Sequence, residues 1–245
     1  MPKFFVNNEQ IDGNIIKIIG SDVNHIANVL RLNKDDEINI CNNNTGENYI
    51  SKILEINKEF INCEIKEINI KDTETKINIT LFQGLPKSDK MEYIIQKNVE
   101  LGIKKIIPIE MERCIVKLDN KDKIKKIERW KKISEVAAKQ SGRNIIPEIG
   151  EVTSLKKVCE IIPNYDIVIV AYENEVENTL KSELKRIHSN QNIAVLIGPE
   201  GGIAPKEIDL LTSNGAKTIS LGKRILRTET ASIVVVSNII YELEM

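Results

Sequence analysis

The sequence predicts an α/β protein: a parallel sheet covered by helices on both faces, preceded by a smaller all-β domain. Three observations predict it. From residue 77 onward, short apolar runs alternate with amphipathic helical patterns, the arrangement that buries a parallel sheet. Residues 1–71 carry only short, partly alternating runs split by Asn, Asp, Gly and Lys. Between the two, KDTETK at residues 71–76 is polar and without apolar period. The boundary is therefore set there, giving domains 1–71 and 72–245.

In the first domain, FFVNNEQ, NIIKII, DEINICN, NYISKILEIN and FINCEIKEINI read as strands of a small β-barrel, with a hairpin turn at residues 42–46. Asp22 is placed to cap VNHIANVLRL, on which Val23, Ile26, Val29 and Leu30 share a face. In the second domain the strands are 77–83, 104–110, 145–149, 166–172, 192–198 and 217–222. The helices between and after them are 89–101, 122–140, 154–161, 176–188, 205–213 and 228–243. Ser88 or Asp89 starts the first helix and Gly102 ends it; Gly142 closes the second; Pro205 and Gly215 bound the fifth. The last helix, ASIVVVSNIIYELEM, is apolar nearly all round, which predicts burial in a core or against a partner subunit.

The 245 residues are 41% hydrophobic and 29% charged, with a formal net charge of −1. That balance excludes wholesale coating by nucleic acid but leaves room for local basic patches. The amino-terminal segment lacks the apolar core of a signal peptide, and no apolar run is long enough to span a bilayer. A cytoplasmic protein without membrane contact is expected. The cysteines, Cys41, Cys63, Cys114 and Cys159, form no C-x-x-C pair, and the only histidines are His25 and His188. No metal is expected, and the thiols read as reduced and structural.

Two stretches carry the functional signal: AVLIGPEGGIAPKEIDLL, residues 194–211, and ISLGKRILRTETASIVVV, residues 219–236. Each is a strand that stops at a glycine and turns into a helix. Neither has the spacing of a P-loop or a dinucleotide fingerprint, and Glu200 would repel phosphate. With residues 170–173 they make three late strand ends, where parallel sheets bind ligands. Glycines, bare backbone and apolar side chains suit a neutral, heteroatom-rich ligand such as adenosine. The chain spends 28 Lys against 7 Arg, so its arginines point to planar, bidentate chemistry. Two of them, Arg224 and Arg227, follow Gly222 closely. Arg227, Thr228, Glu229 and Thr230 open the last helix, either as a reaction centre or anion site, or as a capping box with Thr228 as N-cap. The run KDKIKKIERWKK, residues 121–132, has seven basic and two acidic residues, read as a solvated helix face or as a surface for RNA phosphates. Trp130, Phe4 and Phe5 read as core.

LIGPEGG and LGKRILRTETA, together with KSDKMEYIIQKNVELGI, ERCIVK, AAKQSGR and the amino-terminal HIANVLRL, resemble the bacterial RsmE family. These are 16S ribosomal RNA (uracil-N3)-methyltransferases of the SPOUT superfamily. The resemblance runs from Phe4 to the carboxyl terminus. It implies a PUA-like β-barrel that binds RNA and, after it, a SPOUT domain with a carboxyl-terminal deep trefoil knot instead of an open doubly wound sheet. It implies S-adenosylmethionine as cofactor, a homodimer, and as substrate a single uridine of 16S rRNA within the assembled small ribosomal subunit. Cofactor contacts are implied at Ala171 and Tyr172; at Leu196, Ile197, Gly198, Glu200, Gly201 and Gly202; and at Leu221, Gly222, Ile225, Leu226, Thr228, Thr230 and Ala231. RNA contacts are implied at His25, Arg31, Lys87, Arg113, Gln140 and Arg224. Uracil N3 is a poor nucleophile until deprotonated, so the expected catalytic groups are Glu229 as base and Arg227 or Arg143 stabilising charge on O2 or O4. The sulfonium methyl is already activated, so the reaction calls for no metal. Other readings are ribose 2′-O methylation on the same architecture and a non-catalytic rRNA-binding assembly factor. A Rossmann enzyme lacks its fingerprint.

Overall fold

A computed structural model describes residues 3–69, 73–187 and 191–244; His188 and the expected boundary at residues 71 and 72 lie outside the described residues. The chain forms two compact units. One is Met1–Glu74 with Ala138–Ile146, the other Thr75–Ala137 with Pro147–Met245.

In the first unit, β1 (Lys3–Val6), β2 (Ile11–Asp12), β3 (Ile15–Ile19), β4 (Glu37–Asn42), β5 (Asn48–Ile56) and β6 (Phe60–Asn69) pair in the order β1-β4-β5-β6-β3-β2. The β1–β4 pair is parallel and the rest are antiparallel. Alternate residues point inward, as in the exposed–buried alternation of β3, and Phe4, Ile16, Ile18, Ile38, Ile40, Ile53 and Ile61 form the core. Register shifts at Ile50/Ser51 and Ile53/Glu55 bend the β5–β6 pair. Gly46, at φ +77°, closes the hairpin expected at residues 42–46.

The short helix departs from expectation. It starts earlier, as α1 (Ser21–Asn24), with Gly20 at the N-cap position, and passes into a π turn over His25–Val29. Asp22 therefore does not cap; its carboxylate pairs with Lys139 at 3.1 Å. The wider π turn rotates Val29 off the apolar face and leaves it 63% exposed, while Ile26 stays buried.

Residues 138–146, expected with the second domain, pack in the first unit. The Arg143 guanidinium pairs with the Glu74 carboxylate. Glu74 also accepts the N–H groups of Asn144 (2.9 Å) and Ile145 (3.3 Å), and the Asn43 side chain accepts that of Ile146 (2.7 Å). Lys3 donates to the carbonyls of Gly142 (2.7 Å) and Arg143 (3.1 Å). These bonds consume the backbone donors that a strand at 145–149 would have used, so only β9 (Glu148–Ile149) forms.

The second unit contains β7 (Asn78–Gly84), α2 (Lys90–Glu100), β8 (Lys105–Glu110), β9, β10 (Thr153–Ser154), α4 (Leu155–Ile161), β11 (Ile167–Ala171), α5 (Leu180–Leu184), β12 (Asn192–Ile197), α6 (Pro205–Ser213), β13 (Lys217–Ile219) and α7 (Thr228–Glu244). The helix α3 (Asn120–Ser141) starts in this unit and ends in the first. All strand pairs are parallel, in the order β10-β8-β7-β12-β11-β13, with β9 beside the start of β8. The central strands are buried on both faces, as a helix-covered parallel sheet requires. Pro205 starts α6 as expected, and Gly102 (φ +102°), Gly142 (φ +75°) and Gly215 (φ +90°) follow their helix ends.

The helix expected at 176–188 shrinks to α5. Glu175 holds the preceding loop by accepting the N–H groups of Glu177 (2.9 Å) and Asn178 (3.1 Å) and the Thr218 hydroxyl. The Thr218 bond, then those N–H groups, hold the Glu175 carboxyl below its usual value. Trp130 and Phe4 are buried, as expected; Phe5 is half-buried. All four cysteines are buried free thiols, and burial pushes Cys63 up to about 12. Helix α7 buries Val235, Val236, Ile239 and Ile240 but leaves Tyr241 exposed and Ile233 and Val234 half-buried. Among the described residues, no helix is long and apolar enough to cross a membrane.

Candidate active site

A cleft of about 520 Å³ opens at the carboxyl ends of β11 and β12, walled by the turn after β13 and the start of α7. It is where a parallel sheet binds ligands, because strand-end loops diverge there and leave backbone groups facing a crevice. Of the residues implied for the cofactor, Ala171, Tyr172, Ile197, Gly198, Glu200, Gly201, Gly202, Leu221, Gly222, Ile225, Leu226, Thr228 and Ala231 line it. Leu196 does not: it is fully buried inside β12. Thr230 is exposed on α7 and outside the lining. Lys90, Glu173, Pro199, Ile203, Ser220, Lys223, Arg224 and Arg227 complete the wall. Most are chain neighbours of the expected residues. Lys90 comes from a distant element, and no spacing in the sequence signals it.

The two glycine turns are built differently from a bare cradle. Gly222 has φ +109° and a Cβ there would meet nothing within 4 Å, so its glycine serves the turn itself. Gly84, at the end of β7, serves packing: a Cβ would stand 2.7 Å from Pro199 N and Cδ. The end of β7 thus abuts the turn after β12.

Thr228 is the first residue of α7, one position past the N-cap place expected for it. It donates to the Gly198 carbonyl (2.6 Å) and accepts from the Gln83 amide (2.9 Å). The capping-box reading gives way to a tie between α7 and the first glycine turn.

Glu200 does not stand free in the cleft. Its carboxylate takes the Lys90 ammonium at 2.8 Å and the Lys87 N–H at 3.1 Å. Burial pushes the Glu200 carboxyl up, but the Lys90 hydrogen bond, backbone N–H donors and the Lys90 charge outweigh it and hold the group below its usual value. The bond to Glu200 raises Lys90 in turn.

The three expected catalytic residues have different surroundings. Arg227 lines the cleft and is exposed, with no ion pair among the described residues. Glu229 is not on the wall: it turns toward Lys90 at 3.4 Å, its side chain 16% exposed. Arg143 is buried in the first unit, spent on Glu74.

Among the expected RNA contacts, Arg224 lines the cleft and Arg113 donates to the Gly201 carbonyl at 3.1 Å, bracing the first glycine turn. The Lys87 side chain is exposed, and its backbone N–H donates to Glu200. In the first unit, Arg31 and Gln140 are exposed, and His25 packs edge-on against Phe4 with ring centroids 5.9 Å apart.

Family comparison places the chain in a class, the RNA methyltransferases. The RNA methyltransferase domain family matches residues 73–240 and the RNA methyltransferase PUA domain family residues 18–66. The ribosomal RNA small subunit methyltransferase E of Bacillus subtilis (strain 168) is 36% identical across the whole chain and 98% of its own length. That of Buchnera aphidicola subsp. Acyrthosiphon pisum is 32% identical over 97% of this chain and 92% of its own. The crystal structure of the Neisseria gonorrhoeae enzyme of that name, bound to S-adenosyl methionine, superposes with a TM-score of 0.86 at 30% identity, covering 99% of this chain and 98% of that one. The chain belongs to the ribosomal RNA small subunit methyltransferase E family.

Proposed function

We propose that this protein transfers a methyl group from S-adenosylmethionine to uracil N3 of a single uridine of 16S rRNA, within the small ribosomal subunit. The observation that carries the reading is the cleft between two glycine turns with, on its wall, an arginine that has no ion pair among the described residues, in a chain similar along its whole length to ribosomal RNA small subunit methyltransferases E.

The residues present fit the cofactor. Neutral turn backbone and the apolar Ile197, Leu221, Leu226 and Ala231 suit an adenosine, and the volume falls within the usual range for such ligands. Glu173, which carries no ion pair among the described residues, offers the cleft a charge opposite to a sulfonium. Residues 171–173, 197–203 and 220–226 would hold the cofactor, which supplies a methyl group already activated by its sulfur. The chain's own task is then orientation and electrostatics. Arg227 stabilises the negative charge that builds on a uracil oxygen as N3 gives its proton to solvent, which makes N3 nucleophilic. Seating N3 in line with the methyl supplies a large share of the rate. Glu229 acts behind the wall, holding Lys90 and through it Glu200.

On the same reading the protein is cytoplasmic and works as a homodimer. The half-buried Ile233 and Val234 and exposed Tyr241 of α7, with exposed Tyr93 of α2, supply an apolar surface for a second copy. The turns after β12 and β13 belong to the trefoil knot of the SPOUT architecture. The first unit contributes RNA affinity.

The test uses small subunits from cells lacking the modification, with free rRNA in parallel. Protein and S-adenosylmethionine are added, the RNA is digested, and the methylated nucleoside is identified by mass spectrometry against standards. N3-methyluridine on subunits is expected. A 2′-O-methyl nucleoside would move the chemistry to ribose, and absence of both methylation and cofactor binding would overturn the reading.

A further inference from the structure

Gln83 does not line the cleft, yet the cleft is hung on it. Its side chain is fully buried at the end of β7. One amide nitrogen donates to the Thr228 hydroxyl at 2.9 Å and to the Gly84 carbonyl at 3.0 Å. The Gly84 carbonyl accepts only, so the amide is oriented with its nitrogen toward Thr228. A hydroxyl has one proton; with Gln83 donating to it, Thr228 sends that proton to the Gly198 carbonyl at 2.6 Å. The order of donation is therefore Gln83 to Thr228 to Gly198. Both Thr228 and Gly198 line the cleft, on opposite turns.

A second observation is independent of this chain of bonds. The Gln83 Oε1 is buried and has no hydrogen-bond partner among the described residues. A buried orphan oxygen is a cost that an apolar residue of similar shape would not carry. The bonds of its nitrogen offset that cost.

We propose that Gln83 is a positioning residue of the methyl-transfer site, acting through the Thr228 hydroxyl to set the gap between the two glycine turns. This rests on the reading of the cleft as the S-adenosylmethionine site. Arg227 immediately precedes Thr228, so the same tie sets where the cation stands. Without the Gln83 donor, Thr228 is free to turn its proton elsewhere, the Gly198 carbonyl loses its partner, and the turns move apart.

The test is a double-mutant cycle on the full chain with Gln83→Met, which keeps length and loses the donor, and Thr228→Val. S-adenosylmethionine binding is measured by titration calorimetry, and kcat at saturating cofactor on small subunits. Gln83→Met is expected to raise Kd by about tenfold, the equivalent of one lost hydrogen bond of about 1.4 kcal/mol, at full binding stoichiometry and with a lower kcat. A purely structural role would instead reduce stoichiometry and leave Kd alone. The double variant is expected to bind no more weakly than Thr228→Val, because both changes act through one hydroxyl. A Kd for Gln83→Met within about twofold of wild type, or losses that multiply in the double variant, would overturn the proposal. If Gln83→Met does not fold, Thr228→Val carries the test, and a wild-type Kd there overturns it. Wild-type protein that fails to bind the cofactor would overturn the site itself; wild-type binding with undiminished Gln83→Met binding overturns only the tie.

Discussion

Arg143 and Arg227 each stand at a helix end that follows a glycine-bearing turn or precedes one, and both come from a chain that uses arginine sparingly. Their surroundings are opposite. Arg143, just past α3, has a side chain 4% exposed and pressed against Glu74. Arg227, just before α7, is exposed on the cleft wall and unpaired among the described residues. What separates them is a carboxylate 69 positions away. A buried guanidinium demands a full complement of charge and acceptors, and Glu74 supplies it. An arginine without such a partner is kept in water, where it remains available to a ligand.

The contrast is sharpest in stability. Arg143→Met leaves the Glu74 carboxylate buried without its cation and is expected to cost about 3–5 kcal/mol in urea unfolding. Arg227→Met is expected to stay within about 0.5 kcal/mol of wild type. Equal losses would erase the distinction. In catalysis the order reverses. Arg227→Ala is expected to slow methyl transfer by about 10²–10³-fold in single turnover, the usual cost of one charge-stabilising donor. Its cofactor affinity should remain near wild type; a fall confined to binding would move Arg227 out of the reaction.

The glycines beside the two arginines give a smaller and cleaner comparison. Gly142 and Gly222 both have positive φ, and a Cβ on either meets nothing within 4 Å. Alanine at each therefore costs only backbone strain, about 1 kcal/mol, read as a shift in Tm. Only Gly222→Ala is expected to weaken S-adenosylmethionine as well, because only that turn lines the cleft.

The smallest effect is in pH. The folded-state value of Glu200 is lowered, so its contribution is fully present above the ordinary carboxylate range and is lost as pH falls through the lowered value. The pair with Lys90 is partly exposed, which limits the contribution to about 1 kcal/mol or less. Wild type and Glu200→Gln should converge in Tm under acid and separate toward neutrality. Parallel curves would mean that the pair adds nothing.

These contrasts also mark what could be read in advance. Local signals served well: α6 starts at its proline, β7 and β12 fall within a residue of their expected bounds, and the glycine turns line the cleft. Long-range partners were out of reach. The N–H groups of residues 144–146 look free to make a strand until Glu74 and Asn43 claim them. The acidic stretch before α5 has helical composition until Glu175 folds back on its own backbone and Thr218. Gln83 on β7 and Lys90 on α2 lie more than a hundred residues upstream of Thr228 and Glu200, their partners at the cleft, and those contacts leave no periodic trace.

The pairing of β7 with β12 has a kinetic side. It joins Asn78 to Asn192 at the centre of the sheet, across most of the second unit's length. A contact of such separation pays its loop-closure entropy before any bond rewards it, so this domain belongs among slow folders. The Gln83 tie and the Gly84–Pro199 abutment lie at the end of that pair. The cleft therefore depends on the slowest kind of contact in the sheet, and a chain that has not closed that pair has no place to bind.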